Sequence, residues 1–289
     1  MNSKNITRII DWMKEVEIGE GDLTSECISP YSRFITGTLV SKGEGMFSGR
    51  EVIESLFKPI GKQLKYNWKM SEGDQLKPSS EIVAFEGNGS EILKVKRLIE
   101  WIAGRMSGIA TSTKAVADNL KIHGKELVSG RTVSPIFESI DEIAFTTGGG
   151  AYKYHGLYDS IYITQDHLTY AGGVAASLNN VIEEVGDARK ALRIEIEVNS
   201  HEQFIEADDS DCDVVHLVDL SAVEIDSVFK KGNPKKMPVL HLNSMDDWKK
   251  EYSDYFFKFC AIESLHKSVN PVESQLVINK KEVKDEKTD

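Results

Sequence analysis

RTVSPIFESIDEIAFTTGGGAYKYHGLYDSIYITQDH, residues 131–167, decides the fold. It begins where a short apolar segment at 126–129 ends and runs into another at 160–163. Between them lie a helical length, the triplet Gly148-Gly149-Gly150 and a Gly156-Leu157-Tyr158-Asp159 turn. Short apolar runs separated by helical lengths recur downstream at 193–198, 214–220, 239–242 and 256–261. Strands alternating with helices at this spacing predict parallel βα units, and half a dozen of them predict a barrel.

Upstream the rhythm is different. Ile6, Ile9, Ile10 and Met13 recur at helical spacing over residues 5–16, which stop before the turn Gly19-Glu20-Gly21-Asp22. Strands are expected at 34–40, 66–70 and 82–85, each bounded by turn formers, with a helix at 51–57. A long helix follows over 90–119, where Ile92, Val95, Leu98, Ile99, Ile102, Met106, Ile109 and Ala110 recur at three and four. The small residues Ser107 to Ser112 inside it let another backbone come close, which predicts a crowded seam between domains or subunits.

Composition sets outer bounds. A chain of 289 residues with 40% hydrophobic content buries one large core or two modest ones. Its net charge of -11 and pI near 5.2 give no general attraction to nucleic acid or to an anionic membrane, so neither partner is expected. Cys27, Cys212 and Cys260 lie far apart without metal-ligand spacing, which fits small buried side chains in a reducing cytosol. No run of 18 apolar residues occurs, and the first residues carry acids where a signal peptide needs an apolar run, so a cytoplasmic protein is expected. The polar tail at 280–289 is expected to be disordered.

In a βα barrel the polar residues at the carboxyl ends of the strands are the candidates for chemistry. Here these are Arg131 and Thr132, then Thr164 to His167, then Glu195 and Glu197, then Asp219, Asn243-Ser244 and Glu263-Ser264. Glu195 and Glu197 alternate with Ile194, Ile196 and Val198, so both carboxylates share one face. Carboxylates inside a barrel need a cation, a metal or ligand hydroxyls; here they meet a ligand or pair with Arg131 or Lys153. An Arg, Glu and Asp set converging on one mouth suits a ligand that is both phosphorylated and hydroxylated. Gly149 and Gly150 either present amides to an anion or end a helix that packs closely. Tyr152 and Tyr154 either stack on an aromatic ring or pack. His167 reads either as a base or as a satisfied structural histidine. There is no serine-hydrolase elbow, HExxH zinc site or P-loop.

Gly21-Asp22-Leu23-Thr24, Ser107-Gly108-Ile109-Ala110-Thr111 and Thr147-Gly148-Gly149-Gly150, with a weaker match at 268–277, resemble the quinolinate phosphoribosyltransferase family and its ModD branch. The resemblance implies an N-terminal α/β sandwich domain at 1–108, joined by a returning segment at 268–279, and an incomplete β/α (TIM-like) barrel at 109–267. It implies a homodimer or dimer-based oligomer. It further implies transfer of phosphoribose from phosphoribosyl pyrophosphate to a small heteroaromatic acceptor, with Mg2+. Arg97 matches the arginine that reaches into the neighbouring subunit's site, and Arg131 that of the Thr-Arg-Lys-Thr motif. Glu197, or Glu195, matches the glutamate of the ribose and metal site, and Asp219 lies within one position of the aspartate that closes it.

The family pattern is broken where its cations should stand. The motif lysine is Thr132, the His-Arg pair is Lys153-Tyr154 and the next strand-end lysine is Thr164. The later glycine-rich phosphate loops align with VLHLNSMDDW and FCAIESLHKS, which lack those glycines. Losing three charge-assisted contacts implies about 5–9 kcal/mol of lost affinity for a polyanion. The ModD branch shares the loss of the strand-end lysine and the aromatic run before SGIAT, here Trp101, but keeps the other cations. The expectation is therefore a transferase with an acceptor other than quinolinate; the alternative is a non-catalytic homologue that binds a small molecule or a protein.

Overall fold

The computed structural model describes residues 3–28, 33–58, 60, 64–131, 134–151, 156–230 and 234–280. Two compact units emerge: Met1–Lys114 with Ser134–Gly148 and Ser268–Asp289, and Ala115–Val133 with Gly149–Lys267. The tail beyond Lys280 lies outside the described residues.

The first unit contains α1 (Ser3–Ile18), α2 (Leu23–Ile28), β1 (Phe34–Ser41), β2 (Gly45–Met46), α3 (Arg50–Phe57), β3 (Leu64–Trp68), β4 (Gln75–Leu76) and β5 (Glu81–Asn88). Most of α4 (Gly89–Ile122) also belongs to it. Its main sheet is antiparallel between neighbours, in the order β12-β1-β5-β3, where β12 (Ser274–Lys280) returns from far along the chain. The expected returning segment is thus a full edge strand, with Leu39 opposite Leu276. Alternation on β1 buries Ile35, Leu39 and Ser41, and the α1 side chains Ile6, Ile10 and Met13 are buried at helical spacing. Along α3, Val52, Ile53, Leu56 and Phe57 are buried, and the Phe57 ring lies 5.2 Å from that of Tyr66.

The glycines of α4 explain its small-residue run. A methyl group on Gly108 would lie 2.3 Å from the carbonyl oxygen of Asn270, and one on Gly104 would lie 3.3 Å from that of Val272. The close neighbour is therefore the segment leading into β12, within this same unit. Helix α5 (Glu138–Thr147) ends at Gly148, which presses against the Ala110 carbonyl and Thr113, while Gly149 takes a left-handed φ of 94°. The triplet's first two glycines thus serve a helix end and close packing.

The second unit is built from β6 (Glu126–Val128), β7 (Ile161–Ile163), α6 (Gln165–Ala171), α7 (Val174–Val185), β8 (Ile194–Val198), α8 (His201–Asp208), β9 (Val214–Leu217), α9 (Ala222–Lys230), β10 (Val239–Leu242), β11 (Phe259–Ile262) and α10 (Ser264–Lys267). Its six strands are parallel, in the order β6-β11-β10-β9-β8-β7. That is the order of a barrel left open between β6 and β7. An isolated parallel bridge joins Val128, the last residue of β6, to Ala151. All five residues of β8 are buried, as expected of a strand covered on both faces. Among the described residues, no helix is long and apolar enough to cross a membrane.

Candidate functional site

The candidate site gathers at the carboxyl ends of the parallel strands in the second unit. Arg131, three residues past β6, is its centre. Its Nη2 donates to both carboxylate oxygens of Asp219 at 3.3 and 3.2 Å. Its Nη1 lies 3.7 Å from Glu197 Oε1 and its Nε 3.8 Å from Glu263 Oε1. The last two are electrostatic contacts rather than hydrogen bonds, so the fork keeps donor capacity for a ligand. The Arg131 main-chain N–H donates to Glu263 Oε1 at 3.1 Å, which locks the backbone as well as the side chain. Burial pulls the Arg131 pKa down, but the charges of Glu197, Asp219 and Glu263 outweigh it and raise it, so the guanidinium stays charged.

Period-two alternation brings Glu195 and Glu197 to one face of β8, as the sequence pattern predicts. The two are used differently. Glu197 accepts from the Tyr162 hydroxyl at 3.0 Å and from the Gln165 main-chain N–H at 3.2 Å. Glu195 meets Arg193 through Oε1 and His216 through Oε2, the latter at 2.5 Å. Both glutamates are buried, whereas the Asp219 side chain is 60% exposed. Asp219 holds a left-handed φ of 52°, uncommon for a residue other than glycine; backbone strain of this kind concentrates at ligand sites. It also explains why β9 stops at Leu217, although the apolar run continues to Leu220.

Arg131, Asp219, His241, Asn243, Lys249 and Glu263 are among the residues around a cavity of about 300 Å³. Asp246, Asp247 and Tyr252 also border it. Its described lining thus sets the carboxylates of Asp219, Asp246, Asp247 and Glu263 against the cations of Arg131 and Lys249.

The other expected site residues make contacts of their own. Thr164 caps α6, in a capping box closed by His167: its hydroxyl accepts from the His167 N–H, and its own N–H donates to His167 Nδ1 at 3.1 Å. Arg97 belongs to the first unit, where its 81% exposed side chain pairs with Glu17 at 2.9 Å. Gly149 belongs to the second unit, with its φ set by the end of α5, and Gly150 follows it. Thr132, Tyr152, Lys153 and Tyr154 lie outside the described residues.

Two residues that the sequence reading passed over matter here. His216 on β9 and His241 on β10 are both buried, with His216 Nδ1 2.8 Å from His241 Nε2 and His241 Nδ1 2.9 Å from Glu263 Oε1. The signal was present in VVHL and VLHL, two short apolar strands each carrying one histidine at an internal position.

The magnesium site implied by the resemblance does not fit a resident ion. Glu197 already accepts from Tyr162 and Gln165, and both oxygens of Asp219 face Arg131. No group of three or more His, Cys, Asp or Glu side chains among the described residues could hold a metal.

Comparison with known proteins agrees with this architecture. The family described as "Quinolinate phosphoribosyl transferase, C-terminal domain" matches residues 109–273, and its companion, the N-terminal domain, matches residues 22–107. The chain belongs to the quinolinate phosphoribosyltransferase family. A decarboxylating quinolinate phosphoribosyltransferase 1 of Nicotiana glauca is 29% identical over 186 residues, 64% of this chain and 53% of that protein. The chain thus spans about half the length of that relative. A probable carboxylating nicotinate-nucleotide pyrophosphorylase of Bacillus subtilis is 26% identical over 215 residues, 74% of this chain and 73% of that one. The nicotinate-nucleotide pyrophosphorylase structure from Francisella tularensis superposes with a TM-score of 0.82 at 20% identity, covering 96% of this chain and 98% of that one. Its Ehrlichia chaffeensis counterpart gives 0.86 at 20% identity, covering 94% and 98%. At such identities the structures establish the fold alone.

Proposed function

We propose that the chain binds a phosphoribosyl donor at the open end of the second unit and transfers phosphoribose to a small heteroaromatic acceptor other than quinolinate. The observation that carries this reading is the placement of Arg131 at the cavity, charged and oriented by Glu197, Asp219 and Glu263. Its fork suits an anionic phosphate oxygen, and the accessible Asp219 carboxylate suits ribose hydroxyls. Four carboxylates against two cations in the described lining disfavour an acceptor that brings two further carboxylates, as quinolinate does. Magnesium, in this reading, enters on the donor's pyrophosphate rather than as a resident ion. The working form is a cytoplasmic homodimer or dimer-based oligomer, consistent with three free thiols and with the exposed Arg97.

Calorimetric titration with phosphoribosyl pyrophosphate and magnesium tests it, with Arg131→Ala as control. Micromolar binding lost in the variant supports the donor site, whereas no binding at millimolar donor overturns it. The second reading, a non-catalytic homologue, is favoured by one observation: Arg131 is already surrounded by three carboxylates before any ligand arrives.

A further inference from the structure

Inside the second unit, four buried side chains form a line across β8, β9, β10 and the residue after β11: Glu195, His216, His241 and Glu263. The successive contacts are Glu195 Oε2 to His216 Nε2 at 2.5 Å, His216 Nδ1 to His241 Nε2 at 2.8 Å, and His241 Nδ1 to Glu263 Oε1 at 2.9 Å. Each contact needs one proton, because two lone pairs at these distances repel. Two carboxylates and two neutral imidazoles supply two protons for three contacts. The outer ring nitrogens spend those two on the carboxylates, so the contact between the rings requires a third. Wherever that proton resides among the four groups, they carry one negative charge together rather than two.

The groups packed around the line fix its ends. Arg193 meets Glu195, and the Tyr162 ring stands edge-on to His216 at 5.0 Å between centroids. Tyr162 also donates to Glu197, which lies near Arg131. At the far end, Glu263 accepts from the Arg131 main chain and lies against its guanidinium. A methyl group on Gly130 would meet that carboxylate at 2.9 Å, so Gly130 leaves the room Glu263 occupies. His241 and Glu263 both line the cavity.

We propose that His216 and His241 share a proton and act as positioning residues, holding Glu263 and through it the Arg131 guanidinium at the cavity. No donor need be bound for this to operate, so its failure and that of the transferase reading are separately visible. The test is magnetic resonance of the full chain carrying isotope-labelled histidine and arginine. The expected result is a low-field proton correlated with ring nitrogens of two histidines, together with a slowly exchanging Arg131 main-chain N–H, the group that donates to Glu263. His241→Leu then abolishes the low-field signal and speeds the Arg131 exchange by about tenfold or more, the equivalent of one lost charge-assisted hydrogen bond. His241→Asn places an amide N–H near the ring Nδ1 position; it abolishes the shared proton yet restores most of the Arg131 protection. Two rings that each show an independent neutral tautomer in the wild-type chain overturn the proposal. So does unchanged Arg131 exchange in a folded His241→Leu variant. Should His241→Leu not fold, the wild-type spectrum and His241→Asn decide: an Arg131 left unprotected in folded His241→Asn counts against the proposal.

Discussion

Gly108 and the Asn270 carbonyl are in such close apposition that a methyl group on the glycine would lie 2.3 Å from the oxygen. Pro271 Cα would be 2.9 Å away, so backbone surrounds the position and no flexible side chain can swing clear. Gly108→Ala is expected to destabilise the first unit by about 3 kcal/mol, the upper part of the overpacking range. Urea unfolding of the purified variant measures it; a loss under a quarter of that would show that the 270–272 segment shifts freely.

Removing Arg131 strands its partners. Arg131→Ala leaves the buried carboxylates of Glu197 and Glu263 without their shared cation, and breaking a buried ion pair from one side costs about 3–5 kcal/mol. Glu263→Gln in the same background removes one of the two stranded charges, so the double variant is expected to be more stable than Arg131→Ala alone. Thermal unfolding of the three proteins side by side checks the order.

Asp219 combines a strained backbone with an exposed ion pair. Asp219→Asn tolerates the left-handed conformation and loses only a solvent-screened contact, so a change under about 1 kcal/mol is expected. Asp219→Val places a branched side chain at φ 52° and should cost about 1–2 kcal/mol. Equal stability for the two variants would mean that the loop relaxes out of that conformation.

Acid sensitivity follows from Asp213. Burial raises its pKa, but Arg189 and the Ile194 N–H outweigh that and hold the carboxyl below its ordinary range. Because the folded value is depressed, the stabilisation is complete above the ordinary carboxylate pKa and disappears as pH falls through the folded value. Asp213→Asn should therefore be less stable than wild type near neutral pH and should converge with it in strong acid. A gap that persists unchanged into acid rules out this linkage.

The three thiols should react at well-separated rates. Cys27 is exposed, while burial pushes the Cys260 thiol up to about 12 and that of Cys212 upward as well. Since the thiolate is the nucleophile, alkylation of the native protein at mildly alkaline pH should label Cys27 first, with the other two protected until unfolding. Peptide mapping of a time course reads this directly, and early labelling of Cys260 would contradict its burial.

Much of the architecture was legible because apolar spacing reports burial. The run at 239–242 is β10 to the residue, and the alternation of Glu195 and Glu197 placed both carboxylates on one buried face. Their partners were harder to read. A single histidine in VVHL or VLHL reads equally well facing in or out, and only the register of β9 against β10, which sets Val239 beside His216, makes the two rings meet. Thr164 was read by its position at a strand end, where the decisive influence was local: a hydroxyl and a histidine three residues apart close the first turn of α6. The two short strands β2 and β4 escaped because two residues carry no period.

The position of β12 has a consequence for how the protein is made. The outer neighbour of β1 is synthesised only after every strand of the second unit, so the N-terminal sheet cannot be completed during most of translation. Until then β1 offers an unpaired row of main-chain donors and acceptors to any passing strand. Of the two units, the one begun first is therefore the one that finishes last, and a ribosome stalled before residue 274 would release a chain with one sheet edge still open.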